Sequence, residues 1–368
     1  MRASSTIAAD KQRSASPGRP TGIRLAAFRR AILRWYDQNR RHLPWRETRD
    51  PYHIWLSEIM LQQTRVAAVL EHYRIFLNRF PDLQALAAAS EDAVLAAWSG
   101  LGYYRRARLL HRCAKDLVET HGGRFPQNSE ALLDLPGIGR YTAAALASIA
   151  FAEAVAVVDG NVERVLRRLI DVNLNGPQTW RRAQALLDHS RPGDFNQAMM
   201  ELGATVCLPG EPRCLACPVR KWCATPRTKS GTVPPTVSVE RMSPLRQNKK
   251  QIWCALDWRK GKGDHRGYGE VRLVRRPRTV SLMPGMWELP QSSRPPRSPR
   301  ATADWRTFRH SITVTDYTVH VVRDTALRNR TRADTRPVPK SKWIKIDRIA
   351  HIPITGLTRK ILKAGGII

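Results

Sequence analysis

Apolar residues recur at three- and four-residue spacing through most of the first two thirds of the chain. The runs LAAFRRAILRWYDQN (25–39), YHIWLSEIMLQQTRVAAVLEHY (52–73), EDAVLAAWSG (91–100), RARLLHRCAKDLVETHG (106–122), RYTAAALASIAFAEA (140–154) and VERVLRRLIDVN (162–173) each put an apolar stripe along a helix. Gly100, Gly122-Gly123, Pro136 and Gly176 punctuate them. No alternating strand interrupts the pattern, so an all-α domain is expected over 23–228.

Beyond Cys223 the period changes. TPRTKSGTVPPTVSVERMSP is polar and Pro-rich, and a linker is expected over 229–248. Short β-prone runs follow: QIWCALDW, EVRLVRR, WELP, HSITVTDYTVHVVR and SKWIKI. QSSRPPRSPRATAD reads as a loop between them. A smaller α+β domain is expected over 249–368. The first 22 residues read as a disordered basic tail.

Composition narrows the partners. The 368 residues carry 62 Lys+Arg against 31 Asp+Glu, a formal charge of +31. Such a surplus says little about fold but attracts polyanions, phosphate backbones first among them. No run of 18 or more apolar residues is present to span a membrane, and the start has no apolar core of signal-peptide length. A soluble, cytoplasmic protein is expected.

Four constellations carry chemistry. LPGIGRYT (135–142) places Gly137 and Gly139 in a tight turn at a helix start, where exposed N–H groups can grip a phosphate. About twenty residues on, VVDGNVERV places Asp159 and Asn161 before an amphipathic helix, as N-cap residues or as site residues. Glu58 shares a helix face with Trp55 and Leu61, either as a surface Glu at the helix edge or as a carboxyl among large apolar groups that would hold its proton and could serve as a general acid. Finally, Cys207-x6-Cys214-x2-Cys217-x5-Cys223 has metal-ligand spacing, suited to zinc or to an iron–sulfur cluster. Cys113 and Cys254 stand apart, unligated.

LPGIGRYTAAALASIAF…VVDGN resembles the helix-hairpin-helix glycosylase superfamily. LPWR (43–46), PYHIWLSEIMLQQT (51–64) and GLGYYRRAR (100–108) are similar to its MutY branch, the adenine DNA glycosylases. The resemblance runs from about Leu25 to Leu362. It implies a base-excision enzyme that flips out and hydrolyses adenine mispaired with 8-oxoguanine or guanine in double-stranded DNA. Glu58 would then protonate the adenine, and Asp159 would stabilise an oxocarbenium-like sugar. Tyr141 and Asn161 would support the reaction centre. Trp45, Arg46 and Gln197 would line the adenine pocket. Gln63 and Tyr103 would enter the base stack, with Leu61 on the lesion side. Bifunctional relatives carry a Schiff-base Lys where this chain has Tyr141, so a monofunctional enzyme is implied.

The cysteine spacing, directly after FNQAMMELGATVC, resembles the [4Fe–4S] loop of endonuclease III and MutY. SLMPGMWELP (281–290) is similar to the signature of a C-terminal Nudix-like domain that recognises 8-oxoguanine. Phe308-Arg309-His310 falls where that domain has an aromatic-Ser-His loop, with Arg309 in place of Ser. An acidic Nudix box is absent, so Nudix hydrolysis is not implied. The resemblance also implies a monomer working at the bacterial nucleoid. Two competing readings remain: an endonuclease III-like lyase, and a DNA-binding protein without catalysis.

Overall fold

A computed structural model of the chain describes residues 24–170, 174–225, 248–260, 269–295, 304–312, 314–322 and 341–368. The expected tail at 1–22, and all but the last residue of the expected linker at 229–248, lie outside them. Among the described residues the helices are α1 (Leu25–Asn39), α2 (Pro51–Leu61), α3 (Val66–Arg79), α4 (Leu83–Ala88), α5 (Glu91–Ala97), α6 (Arg105–Thr120), α7 (Ser129–Leu132), α8 (Arg140–Ala150), α9 (Gly160–Ile170), α10 (Gly176–Leu186), α11 (Pro192–Thr205) and α12 (Gly356–Ala364). The strands are β1 (Asn248–Ala255), β2 (Trp258–Lys260), β3 (Gly269–Arg275), β4 (Trp287–Glu288), β5 (Gln291–Ser292), β6 (Asp304–Ile312), β7 (Thr315–Val322) and β8 (Ser341–Lys345). No described helix is long and apolar enough to cross a membrane.

The chain divides into two compact units, at Arg41/His42, Glu153/Ala154 and Val237/Ser238. The expected helical domain is therefore shared between them. In the first unit, α1 presents Phe28, Ile32 and Tyr36 to Val165 and Leu166 of α9 and Leu202 of α11. These positions are the apolar stripes that the sequence spacing marks, so this core follows from pattern alone. At its edge Arg41 pairs in bidentate fashion with Glu201, at 2.6 and 2.7 Å, and Glu201 is only 1 % exposed.

The second unit combines α2–α8 with the strands and α12. Local chemistry sets its helix starts. The Asp50 carboxylate accepts from the Tyr52 N–H, with Pro51 at the first position of α2, and Ser90 and Asn128 cap α5 and α7. Two expectations need correction here. The apolar run at 52–73 is not one helix: it breaks between α2 and α3, where Gln63 adopts φ 56°. The break is fixed by the buried Arg106, which donates to the carbonyls of Ile59 and Met60 and so ends α2. In the hairpin before α8 only Gly137 uses left-handed backbone, at φ +80°. Gly139 sits at φ −96°, as the residue capping α8.

The C-terminal part is α+β. One four-stranded sheet runs β5-β1-β7-β6, with β1 and β7 parallel over their full length. In the second sheet β3 pairs with β2, β4 and β8. The run at 310–323, read as one stretch, takes in the end of β6 and the whole of β7, two antiparallel strands. Val271, Leu273, Val319 and Val321 meet Ile361 and Leu362 of α12 in the core. This part is tied to the helices of its unit: Arg275 holds Asp92 through two 2.7 Å contacts, and Arg108 donates to the Pro284 carbonyl at 2.6 Å.

A Cβ added at Gly137 would lie 2.7 Å from the Leu109 Cβ of α6. Gly137→Ala is expected to destabilise by about 2 kcal/mol or more, combining left-handed strain with the clash. Denaturant midpoints will show it, and adding Leu109→Ala will relieve only the steric share.

Candidate active site and cysteine loop

Helix α2 is buried on nearly all sides, and Glu58 within it is 7 % exposed. The Tyr141 hydroxyl, in the first turn of α8, donates to Glu58 Oε2 at 2.7 Å. The residue that follows the hairpin thus meets the acid in the apolar helix directly. A phenol at this place can orient a carboxyl without competing for its chemistry, since Tyr stays protonated at neutral pH. Tyr141 supplies no amine.

Asp159, in the other unit, precedes α9. Its Oδ1 accepts from the Val162 N–H at 2.7 Å, so the plain N-cap role is realised. Its Oδ2 accepts from Asn161 Nδ2 at 2.9 Å. Asn161 is fixed in turn by Arg164, which donates to its Oδ1 at 2.8 Å and also to the carbonyls of Gly203 (2.8 Å) and Cys207 (2.9 Å). Gly203 is required for this approach, because a Cβ there would come within 2.6 Å of the Asn161 Cβ. Cap and site readings of Asp159 are therefore compatible: the cap bond engages one oxygen and the amide steadies the other.

All four expected cysteine ligands, Cys207, Cys214, Cys217 and Cys223, line one apolar cavity of about 430 Å³, part of it open to solvent. Arg168 closes one side, with Nη1 donating to Cys207 Sγ at 3.3 Å and to the Leu208 carbonyl at 2.7 Å. Burial pushes the Cys207 thiol up, against the pull of Arg168, and takes Cys217 up to about 11. The Cys223 thiol donates to the Arg168 carbonyl at 3.2 Å, a donor that ligation would remove. Among the described residues no three His, Cys, Asp or Glu side chains are grouped closely enough for a single metal ion. A lone zinc would need its sulfurs drawn in to about 2.3 Å.

The remaining expected residues fall in three places. Trp45 is buried edge-on against Tyr73 at 5.2 Å, with Arg46 half-buried beside it in the same short turn. Gln197 is half-buried on α11, next to Asn196, whose side chain accepts from the Val157 N–H. Leu61 ends α2 half-buried, whereas Gln63 and Tyr103 are exposed. Phe308 and His310 lie in strand β6 rather than in a loop, because their backbone pairs with Val319 and Tyr317 of β7. Strand alternation puts both on one face and Arg309 on the other. The Lys360 ammonium sits 5.6 Å from the Phe308 ring centroid, and burial followed by Lys360 lowers the His310 pKa. Arg106, Arg164 and Arg168 were not singled out from sequence. The signal for two of them was present: Arg164 and Arg168 sit at i, i+4 on a helix whose neighbours Val165 and Leu169 are core.

Residues 56–187 match the family described as "HhH-GPD superfamily base excision DNA repair protein". The chain carries a domain of that superfamily. Over 214 residues, 54 % of this chain, it is 50 % identical to the adenine DNA glycosylase of Homo sapiens. Over 301 residues, 72 % of this chain, it is 40 % identical to that of Arabidopsis thaliana. The matches span 39 % of the human protein and 47 % of the plant one, less than half of each. A solved thermostable thymine-DNA glycosylase, 33 % identical, superposes with a TM-score of 0.52 over 54 % of this chain and 95 % of its own. The resemblance to adenine DNA glycosylases seen in the sequence is thus upheld.

Arg168 is 8 % exposed and serves two elements of the cysteine loop. Arg168→Met is expected to cost about 2 kcal/mol, the scale of losing charge-assisted bonds to part-buried carbonyls. Limited proteolysis within 207–223 will accelerate, and Arg168→Lys will restore less than half.

Proposed function

We propose that the chain is a monofunctional adenine DNA glycosylase acting on adenine paired with 8-oxoguanine or guanine in duplex DNA. The observation that carries the reading is the bond from Tyr141 to the buried Glu58. An acid held at this depth, by a residue that cannot form a Schiff base, suits protonation of a leaving base followed by attack of water. The adenine relatives support the choice of base.

The residues divide the work. Glu58 donates a proton to the extruded adenine, with Tyr141 orienting its carboxyl through Oε2. As the glycosidic bond lengthens, positive charge grows on the sugar, and the Asp159 carboxylate opposes it. Asn161 keeps that carboxylate from turning away. Water adds to the sugar and an abasic site remains. Trp45, Arg46 and Gln197 are assigned to the adenine pocket. Leu61, Gln63 and Tyr103 are assigned to the disturbed base stack. The hairpin of Gly137 and Gly139 offers backbone N–H groups at the start of α8 to a phosphate, and a Cβ at Gly139 would meet nothing within 4 Å. In the C-terminal part, read as Nudix-like, Phe308 and His310 would meet 8-oxoguanine. The Arg309 departure lies on the opposite strand face.

The four cysteines fit a [4Fe–4S] cluster: they ring one apolar cavity, and Arg168 already donates to a sulfur, as it would to a thiolate. Bound there, the cluster would brace the loop that carries Arg213, Arg220 and Lys221 towards DNA phosphates. Double-stranded DNA is the partner, and the chain would act as a monomer in the bacterial cytoplasm, at the nucleoid.

Single-turnover incubation with an adenine:8-oxoguanine duplex is expected to yield strand breaks only after alkali, and a guanine:thymine duplex is expected to stay intact. Breaks without alkali would mean a lyase; thymine release in place of adenine would sink the assignment. Glu58→Gln is expected to slow adenine release by at least about 10²–10⁴-fold, the range of a lost general acid, with duplex affinity retained. Anaerobically purified protein is expected to carry iron and sulfide in equal amounts, and Cys217→Ser to lose both.

A further inference from the structure

Four non-glycine residues among those described adopt positive φ: Gln63 (56°), Tyr103 (46°), Ala152 (58°) and Met283 (47°). Such backbone costs energy and persists only where its surroundings enforce it. Gln63 and Tyr103 are exposed, at the tips of two loops, one after α2 and one before α6. A single side chain binds both loops. Arg106 is 9 % exposed. Its Nη1 donates to the carbonyls of Ile59 (2.7 Å) and Met60 (2.8 Å), at the negative end of the α2 dipole. Its Nη2 donates to Thr64 Oγ1 (3.1 Å) and to the carbonyls of Leu101 and Gly102 (3.4 Å each). The guanidinium also lies 5.3 Å from the Trp98 ring centroid and 5.5 Å from that of Tyr103. Burial lowers its pKa to about 10, which leaves it charged at neutral pH.

This geometry exceeds what α6 needs for packing. The two terminal nitrogens of one guanidinium reach the backbone just before each strained tip and the Thr64 hydroxyl just after the first, so neither loop can relax without disturbing the other. We infer that Arg106 is a positioning residue that joins the Gln63 and Tyr103 loops into one preformed wedge, and that it acts in extruding the base rather than in cleaving it. The inference rests on the glycosylase reading for the identity of the extruded base.

The test uses the full-length protein with two duplexes. One carries fluorescent 2-aminopurine opposite 8-oxoguanine and brightens when the probe unstacks. The other carries a tetrahydrofuran abasic analogue opposite 8-oxoguanine, where no base is left to extrude. Arg106→Met is expected to slow the fluorescence rise by about ten- to a hundredfold, as small misplacements of preorganised groups do, while affinity for the abasic duplex stays within about threefold. Arg106→Lys, charged but unable to span both loops, should fall between. Thr64→Val removes one acceptor without touching the helix and should slow unstacking by about two- to threefold, which keeps the inference testable if Arg106→Met does not fold. An unchanged unstacking rate in these variants overturns the inference, as does a parallel loss of abasic-duplex affinity. A wild type that unstacks the probe but releases no adenine, with Arg106→Met slowed, supports the wedge and overturns the glycosylase reading.

Discussion

Buried and half-buried guanidinium groups bonded to main-chain carbonyls are the constraint on which the described sites depend. Irregular backbone cannot satisfy its own carbonyls, and burying it without partners is costly. This chain answers with arginine. Arg106 saturates the end of α2 and the turn before α6; Arg164 ties the loop of Asp159 to the start of the cysteine loop; Arg168 holds the next residues of that loop. In each case a charge that would weaken a core instead fixes a segment that has no regular structure. Part of the large basic surplus is therefore spent inside the protein, away from any nucleic acid.

Asp159 caps α9 through one carboxylate oxygen, and the role proposed for it makes a related demand. Capping a helix and opposing positive charge both call for an ionised carboxylate with oriented lone pairs. Satisfying the first brings the second close to hand. Glu58 is different, since nothing about helix formation requires an acid in the middle of α2. It is nonetheless buried there, and bonded by Tyr141 from a distant part of the chain.

The sequence made much of this legible, for identifiable reasons. Helix α1 coincides with its apolar run because both ends lie in polar stretches. The spacing of the four cysteines anticipated that they would lie around one cavity, and Asp159 was marked by its distance from the hairpin. What stayed hidden was decided by contacts between remote residues. The break at Gln63 has no Pro or Gly to announce it, because Arg106, over forty positions away in sequence, enforces it. Gly139 looked as strained as Gly137 because composition does not report φ. The turn between β6 and β7 falls inside a uniformly β-prone run, where only pairing with β1 and with each other settles the ends.

The first unit assembles from two stretches separated by the whole of 42–153. During synthesis α1 leaves the ribosome well before α9 and α11 exist, with Phe28, Ile32 and Tyr36 lacking their native cover. The second unit's early helices, whose contacts are nearer in sequence, can close first. Vectorial synthesis thus imposes an order of assembly, and α1 is the segment that a holdase chaperone would meet exposed on the nascent chain.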